Sequence, residues 1–139
     1  MAKSVIITGA SSGIGAALAH EFANRGYNIA LCARRVEKLE ALQQALIQKN
    51  SNLQIITAAL DVNALDTVPV VLNDIKTRLG NIDIVVANAG ITGVRRTGSG
   101  DLSVDKSIMQ TNLFGAIATI DAAVAIFREQ GFGHIVGMS

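Results

Sequence analysis

Residues 8–15 read Thr8-Gly9-Ala10-Ser11-Ser12-Gly13-Ile14-Gly15. An apolar run, Ser4 to Thr8, precedes them, and a stretch with Leu18 and Phe22 four apart follows. The run is β-branched and ends at a glycine, so it reads as a buried strand. Gly13 to Arg25 reads as a helix closed by Gly26. A glycine-rich turn between strand and helix has a physical use. Gly9 permits a tight turn out of the strand. Gly13 lets a pyrophosphate approach the backbone without meeting a Cβ atom, and Gly15 lets the helix pack close to the sheet. The helix start offers free N–H groups and the positive end of its dipole to phosphates. Ser11 and Ser12 add hydroxyls, either of which could cap the helix. The plain alternative is a turn that binds nothing.

The pattern repeats outward from this turn. Asn28 to Ala33, Leu53 to Ala59 and Ile82 to Ala87 read as further strands, and His134 to Met138 starts a fifth. Val36 to Lys49 carries Val36, Leu39, Leu42 and Leu46 at helical spacing. Thr67 to Leu79 carries Val68, Val71, Leu72, Ile75 and Leu79, with Pro69 in a first turn where its missing N–H costs little. Val104 to about Gln130 reads as one long helix, broken at most by Gly115. Strand–helix alternation with continuously apolar strands predicts a doubly wound α/β fold on a parallel sheet covered on both faces. Ligands bind such sheets at the C-terminal strand ends, where the loop Ile91 to Asp101 also begins.

Composition narrows the function. The 139 residues fit one domain, residues 1–139. Half are hydrophobic, 17% are charged and mean hydropathy is +0.39, so much of the chain is expected to be buried. The formal net charge of +1 argues against a nucleic-acid partner, which needs a basic patch. The lone Cys32 excludes an internal disulfide and reads as a buried small hydrophobe. His20 and His134 have no second ligand at metal spacing, so no metal is expected. No continuous apolar run approaches a membrane span, and the N-terminal run is too short for a signal peptide, which makes the cytoplasm the expected location. Glu37, Lys38 and Glu40 read as a solvated helix face.

The turn has the spacing T-G-x-x-x-G-x-G. It resembles the coenzyme loop of the short-chain dehydrogenase/reductase family. Further motifs follow in that family's order: Asp61-Val62, Asn88-Ala89-Gly90, Asn112-Leu113-Phe114-Gly115 and Gly133-His134-Ile135-Val136. Each is weak singly, and the set is specific. The resemblance implies a Rossmann-type sheet of order 3-2-1-4-5, with the family's later strands absent from this chain. It implies cofactor contacts from Gly9, Ser11, Ser12, Gly13, Ile14 and Gly15. It gives Asp61 the adenine amino group and Val62 the ring. Asn88, Ala89 and Gly90 would line the ribose side and brace the strand. Asn112 matches a catalytic asparagine whose backbone helps hold a water in a proton relay. Asp61 as a turn cap and Asn112 as an ordinary polar core residue remain the simpler alternatives.

The end of the second strand bears on the choice of cofactor. An acid there would hydrogen-bond the 2′-hydroxyl of NAD. Here Ala33 is followed by Arg34 and Arg35, so no carboxylate repels a 2′-phosphate and two guanidinium groups can bind it. NADP(H) is expected over NAD(H), with Arg34 the main contact. The alternative is a solvated pair ahead of a surface helix.

The family's proton donor is a tyrosine with a lysine four residues later. The lone Tyr27 is followed at that distance by Leu31, and Ser139 stands at or one residue before the family's serine position. The resemblance therefore implies the coenzyme-binding part of an alcohol dehydrogenase or carbonyl reductase for small-molecule substrates, with this stretch inactive alone. A non-catalytic NADP(H)-binding module is the alternative. A methyltransferase-like domain would want an acid where Ala33 and Arg34 stand, and a purely structural domain would not need the glycine loop. The long helix matches one through which family members form dimers and tetramers. Its Gly115, Ala116, Ala118, Ala122 and Ala123 would allow close helix approach, or equally would pack on the sheet.

Overall fold

In the computed structural model, which describes residues 2–139, the first strand β1 is Ser4–Thr8 and every one of its residues is buried. It is followed by α1 (Gly13–Asn24), β2 (Asn28–Ala33), α2 (Val36–Lys49), β3 (Ile55–Ala59), α3 (Val68–Leu79) and β4 (Ile84–Ala87). A single helix, α4, then runs from Ser103 to Gln130, and β5 is His134–Gly137. The strands form one parallel sheet of order β3-β2-β1-β4-β5. The chain winds outward from β1 to β3, then returns to β1's other side for β4. The crevice at the C-terminal ends of β1 and β4 is therefore the switch point of the sheet.

Alternation along each strand divides the core into two layers. Ile6, Ala30, Cys32, Ile56 and Val85 point to one face, under Val68, Leu72 and Ile75 of α3 and Ala122, Ala123 and Ile126 of α4. Val5, Ile7, Ile29, Leu31 and Val86 point to the other, under Ala19 and Ala23 of α1 and Leu39 and Leu46 of α2. The α1 seam is therefore Gly15, Ala19 and Ala23, with the larger Leu18 and Phe22 at its flanks. A fully buried aliphatic such as Leu72 or Ile75 contributes roughly 1.5–3 kcal/mol of transfer free energy.

Two strands begin later than the apolar pattern predicts, because side chains take the ladder's place. Gln130 grips both sides of Ile82, accepting from its N–H at 3.2 Å and donating to its carbonyl at 2.6 Å. At β3 the Gln54 N–H goes to Asn28 Oδ1 at 2.8 Å. Ahead of α3 the chain makes a 3-10 turn, Leu65–Thr67.

By length and composition α4 could cross a membrane, with an 18-residue window of mean hydropathy 1.3, although no continuous apolar run flags it. Its Ala122, Ala123 and Ile126 are buried in the core, while about a third of that window is buried overall. Gly115, Ala122 and Ala123 are turned inward, and Ala118 packs against the same core. The outward face carries Met109, Leu113, Phe114 and Ile117, all exposed. At the sheet edge, β5 is the least buried strand, with His134 and Gly137 exposed.

Candidate functional site

A cavity of about 370 Å³ opens at the C-terminal strand ends, lined by the first turn, the start of α2, Leu60 to Asn63, Asn88 to Ile91, and Thr111. The three turn glycines do different work. Gly9 has φ +63, and a Cβ there would stand 2.8 Å from the Ala89 Cα. A Cβ on Gly15 would stand 2.3 Å from the Gly9 carbonyl oxygen and 2.7 Å from Asn88 Nδ2. The close approach at Gly15 is thus to the turn and to Asn88, more than to the strands. Gly13 has φ +56 and open space in front of it, with nothing within 4 Å of a Cβ position. Only Gly13 leaves the room a ligand would need.

Ser12 occupies the N-cap of α1 in extended conformation, yet its hydroxyl makes no capping hydrogen bond. Ser11, Ser12 and the 60%-exposed Ile14 line the cavity, whereas Gly13 and Gly15 do not. The turn is fastened from below. Thr8 Oγ1 accepts from the Asn88 and Ala89 N–H groups at 2.9 and 3.0 Å and donates to the Val86 carbonyl at 3.3 Å. Asn88 Nδ2 donates to the Thr8 and Gly9 carbonyls at 3.2 and 3.3 Å. Asn88 therefore braces β4 against the first turn, and with Ala89 and Gly90 it also lines the cavity.

Arg34 and Arg35, which follow Ala33, also line the cavity. Neither makes an ion pair among the described residues. Lys38 also lines the cavity and, with Glu37 and Glu40, is exposed, in keeping with the solvated face expected of them. Asp61 and Val62 also line the cavity. Asp61 Oδ1 accepts the Asn63 N–H at 2.9 Å, so the residue does cap the following turn, and Oδ2 has no hydrogen bond among the described residues.

Asn112 lies outside the cavity lining. It sits in a π-helical segment of α4, Gln110–Gly115. Its carboxamide bonds both sides of the Ile91 peptide, with Oδ1 accepting from the N–H at 2.8 Å and Nδ2 donating to the carbonyl at 2.9 Å. It is exposed, not a polar core residue. The wider π turn ends at Gly115, where a Cβ would stand 2.6 Å from Val62 Cγ2, and the Gly115 carbonyl accepts the Thr119 hydroxyl at 2.8 Å. Such π segments concentrate at functional sites. Ile91, Asn63 and Thr111 are lining residues that the motifs do not reveal. Thr111 donates its hydroxyl to Asn63 Oδ1 at 3.0 Å, a pairing visible only once β3 and α4 are placed.

Burial raises the Cys32 thiol to about 12, with nearby Arg78 opposing, so it plays no part at the site near neutral pH. Among the described residues no group of three or more His, Cys, Asp or Glu could hold a metal ion.

The family model described as short chain dehydrogenase matches residues 3–139. The chain belongs to the short-chain dehydrogenase family. An uncharacterized oxidoreductase of Mycobacterium tuberculosis is 42% identical over 137 residues, covering 99% of this chain and 54% of that protein. The alcohol dehydrogenase from the archaeon Thermococcus sibiricus, complexed with 5-hydroxy-NADP, has TM-score 0.89 and 32% identity over 98% of this chain and 57% of that one. NAD+-bound xylitol dehydrogenase has TM-score 0.91 and 26% identity over 97% of this chain and 52% of that one. The chain thus spans about half the length of these short-chain dehydrogenase relatives.

Proposed function

We propose that residues 1–139 form the dinucleotide-binding domain of an NADP(H)-dependent oxidoreductase acting on a small-molecule carbonyl or alcohol. One observation carries the reading. One cavity at the sheet's switch point is lined by Ser11 and Ser12, which flank the open face of Gly13 without including it, and by Arg34 and Arg35, unpaired among the described residues, with Ala33 in place of an acid. Donors for a pyrophosphate and cations for a 2′-phosphate thereby line one crevice, and the residues fit a dinucleotide.

When bound, the nicotinamide supplies or accepts the hydride. The chain's own residues bind and orient. N–H groups at the start of α1 and the Ser11 and Ser12 hydroxyls hold the phosphates. Asp61 Oδ2, without a hydrogen-bond partner among the described residues, takes the adenine amino group while Val62 packs the ring. Gly90 and Ala89 leave the ribose side open. Asn112 fixes the Ile91 backbone at the cavity rim and keeps the π turn in place for the proton relay. The proton donor is not among these residues, since Tyr27 has no lysine four positions on, and these 139 residues by themselves are expected to bind rather than turn over. The outward apolar face of α4 is the contact we assign to a second copy.

The test is dinucleotide titration of the wild type and Arg34→Ala. A charge-assisted hydrogen bond is worth roughly 1.5–3 kcal/mol, so NADPH affinity is expected to fall about ten- to hundredfold. NADH affinity should barely change. Equal losses for both cofactors would remove the NADP preference, and a folded protein that binds neither would remove the function.

A further inference from the structure

We propose that Thr111 is a positioning residue for adenine, acting through Asn63 on the turn that carries Asp61. The inference rests on the cofactor reading above and deepens it. A helical threonine ordinarily turns its hydroxyl back to a carbonyl of the preceding turn. Thr77 does so to Asn73 at 3.0 Å, and Thr119 to Gly115 at 2.8 Å. Thr111 is buried in the same helix as Thr119, yet its hydroxyl leaves the helix and donates to Asn63 Oδ1 at 3.0 Å, 48 residues away. The Asn63 N–H in turn donates to Asp61 Oδ1 at 2.9 Å. A chain of hydrogen bonds therefore runs from the π segment of α4 to the Asp61 carboxylate, and Thr111, Asn63 and Asp61 all line the one cavity. The same segment meets this wall at a second point, because Gly115 lies so close to Val62 that a Cβ would stand 2.6 Å from Val62 Cγ2.

The consequence is preorganisation. Asp61 and Asn63 are exposed, and an exposed turn with no outside hold would have to be ordered when the base arrives. The buried Thr111 hydroxyl supplies that hold from α4. It leaves Asp61 Oδ2 as the acceptor without a partner among the described residues. An adenine amino group satisfies that oxygen. Hypoxanthine presents a carbonyl oxygen at the same place and cannot. The contribution of Thr111 should therefore register only with a base that carries the amino group.

The experiment is titration of the full chain with NADPH and with its hypoxanthine analogue, for wild type, Thr111→Val, Thr111→Ser, Asn63→Ala and the Thr111→Val/Asn63→Ala double variant. Thr111→Val keeps the buried shape and removes the donor. It is expected to weaken NADPH about fivefold, the worth of one ordinary hydrogen bond, and to leave the analogue within about twofold. Thr111→Ser should bind NADPH as wild type does. Because Thr111 acts through Asn63, the double variant should lose no more than Asn63→Ala alone. Should Thr111→Val fail to fold, Asn63→Ala on an exposed side chain carries the same comparison of the two bases. Parallel losses for both dinucleotides, or additive losses in the double variant, would overturn the assignment. If wild type prefers NADPH over the analogue and Thr111→Val is neutral, Thr111 loses its role and the cofactor reading stands. A folded wild type that binds neither dinucleotide overturns both.

Discussion

The Asn112 carboxamide closes on the Ile91 peptide from both sides, 21 residues away in the chain, with an acceptor 2.8 Å from the N–H and a donor 2.9 Å from the carbonyl. A side-chain amide here completes what a neighbouring strand would otherwise supply to the chain leaving β4. Gly90 permits the contact, because a Cβ there would stand 3.3 Å from Asn112 Oδ1. Asn112→Ala should release both bonds. The expected cost is about 1–2 kcal/mol in global stability, two ordinary hydrogen bonds at partial exposure. Hydrogen exchange at the Ile91 amide should accelerate by more than the global change explains. Unchanged exchange would show that the loop is held elsewhere, for instance by the Arg95–Asp105 ion pair.

Gly13 and Gly15 should separate in their response to alanine. At Gly15 the new Cβ meets a backbone oxygen that cannot turn aside. Overpacking of this kind costs about 1–3 kcal/mol, and Gly15→Ala should lower both thermal stability and dinucleotide affinity. At Gly13 there is room, and the strain of a left-handed alanine, about 1–2 kcal/mol, is the only folding cost. If a phosphate approaches that open face, Gly13→Ala should weaken NADPH binding well beyond its effect on Tm. Thermal unfolding with and without NADPH checks both, and a Gly15→Ala protein as stable as wild type would contradict the packing account.

Thr8 offers a test of the brace beneath the site. Its buried hydroxyl satisfies two N–H groups and one carbonyl. Thr8→Val keeps the shape and strands those partners, each unsatisfied group costing about 1–3 kcal/mol. Thr8→Ser keeps the hydroxyl and should recover most of the stability. Urea unfolding of the pair measures the difference, and equal midpoints would remove the brace from the account.

The strands and helices were legible because their patterns are local: continuous β-branched runs in β1 and β2, and four-residue spacing in α2 and α3. The glycine turn, Arg34, Arg35 and Asp61 were legible because strand-end chemistry maps directly onto position. What was hidden depends on partners distant in sequence. Ile82 leaves the β4 ladder because Gln130, 48 residues on, occupies its backbone groups. The π turn at Asn112 reflects contacts to Ile91 and Val62, and no periodicity announces it. The small residues of α4 were ambiguous between two faces, and the core contacts of Ala122 and Ala123 decide for the sheet.

Cys32 carries a pH prediction whose sign can be worked out. Its ordinary value is 9.0, and complete burial in β2 raises the folded thiol to about 12. Between those values the unfolded chain has lost the proton while the folded chain keeps it. The unfolded state then binds fewer protons, so stability must fall as pH rises from about 9 toward 12. Cys32→Ala opens a small cavity and lowers stability at every pH, but it removes this slope. The stability difference between wild type and Cys32→Ala should therefore be constant from pH 7 to about 8.5 and shrink above 9. In the folded protein at pH 8 a thiol reagent should fail to label Cys32, with labelling restored in denaturant. Rapid labelling under native conditions would mean that β2 opens locally, and the buried-thiol account of this pH dependence would fail with it.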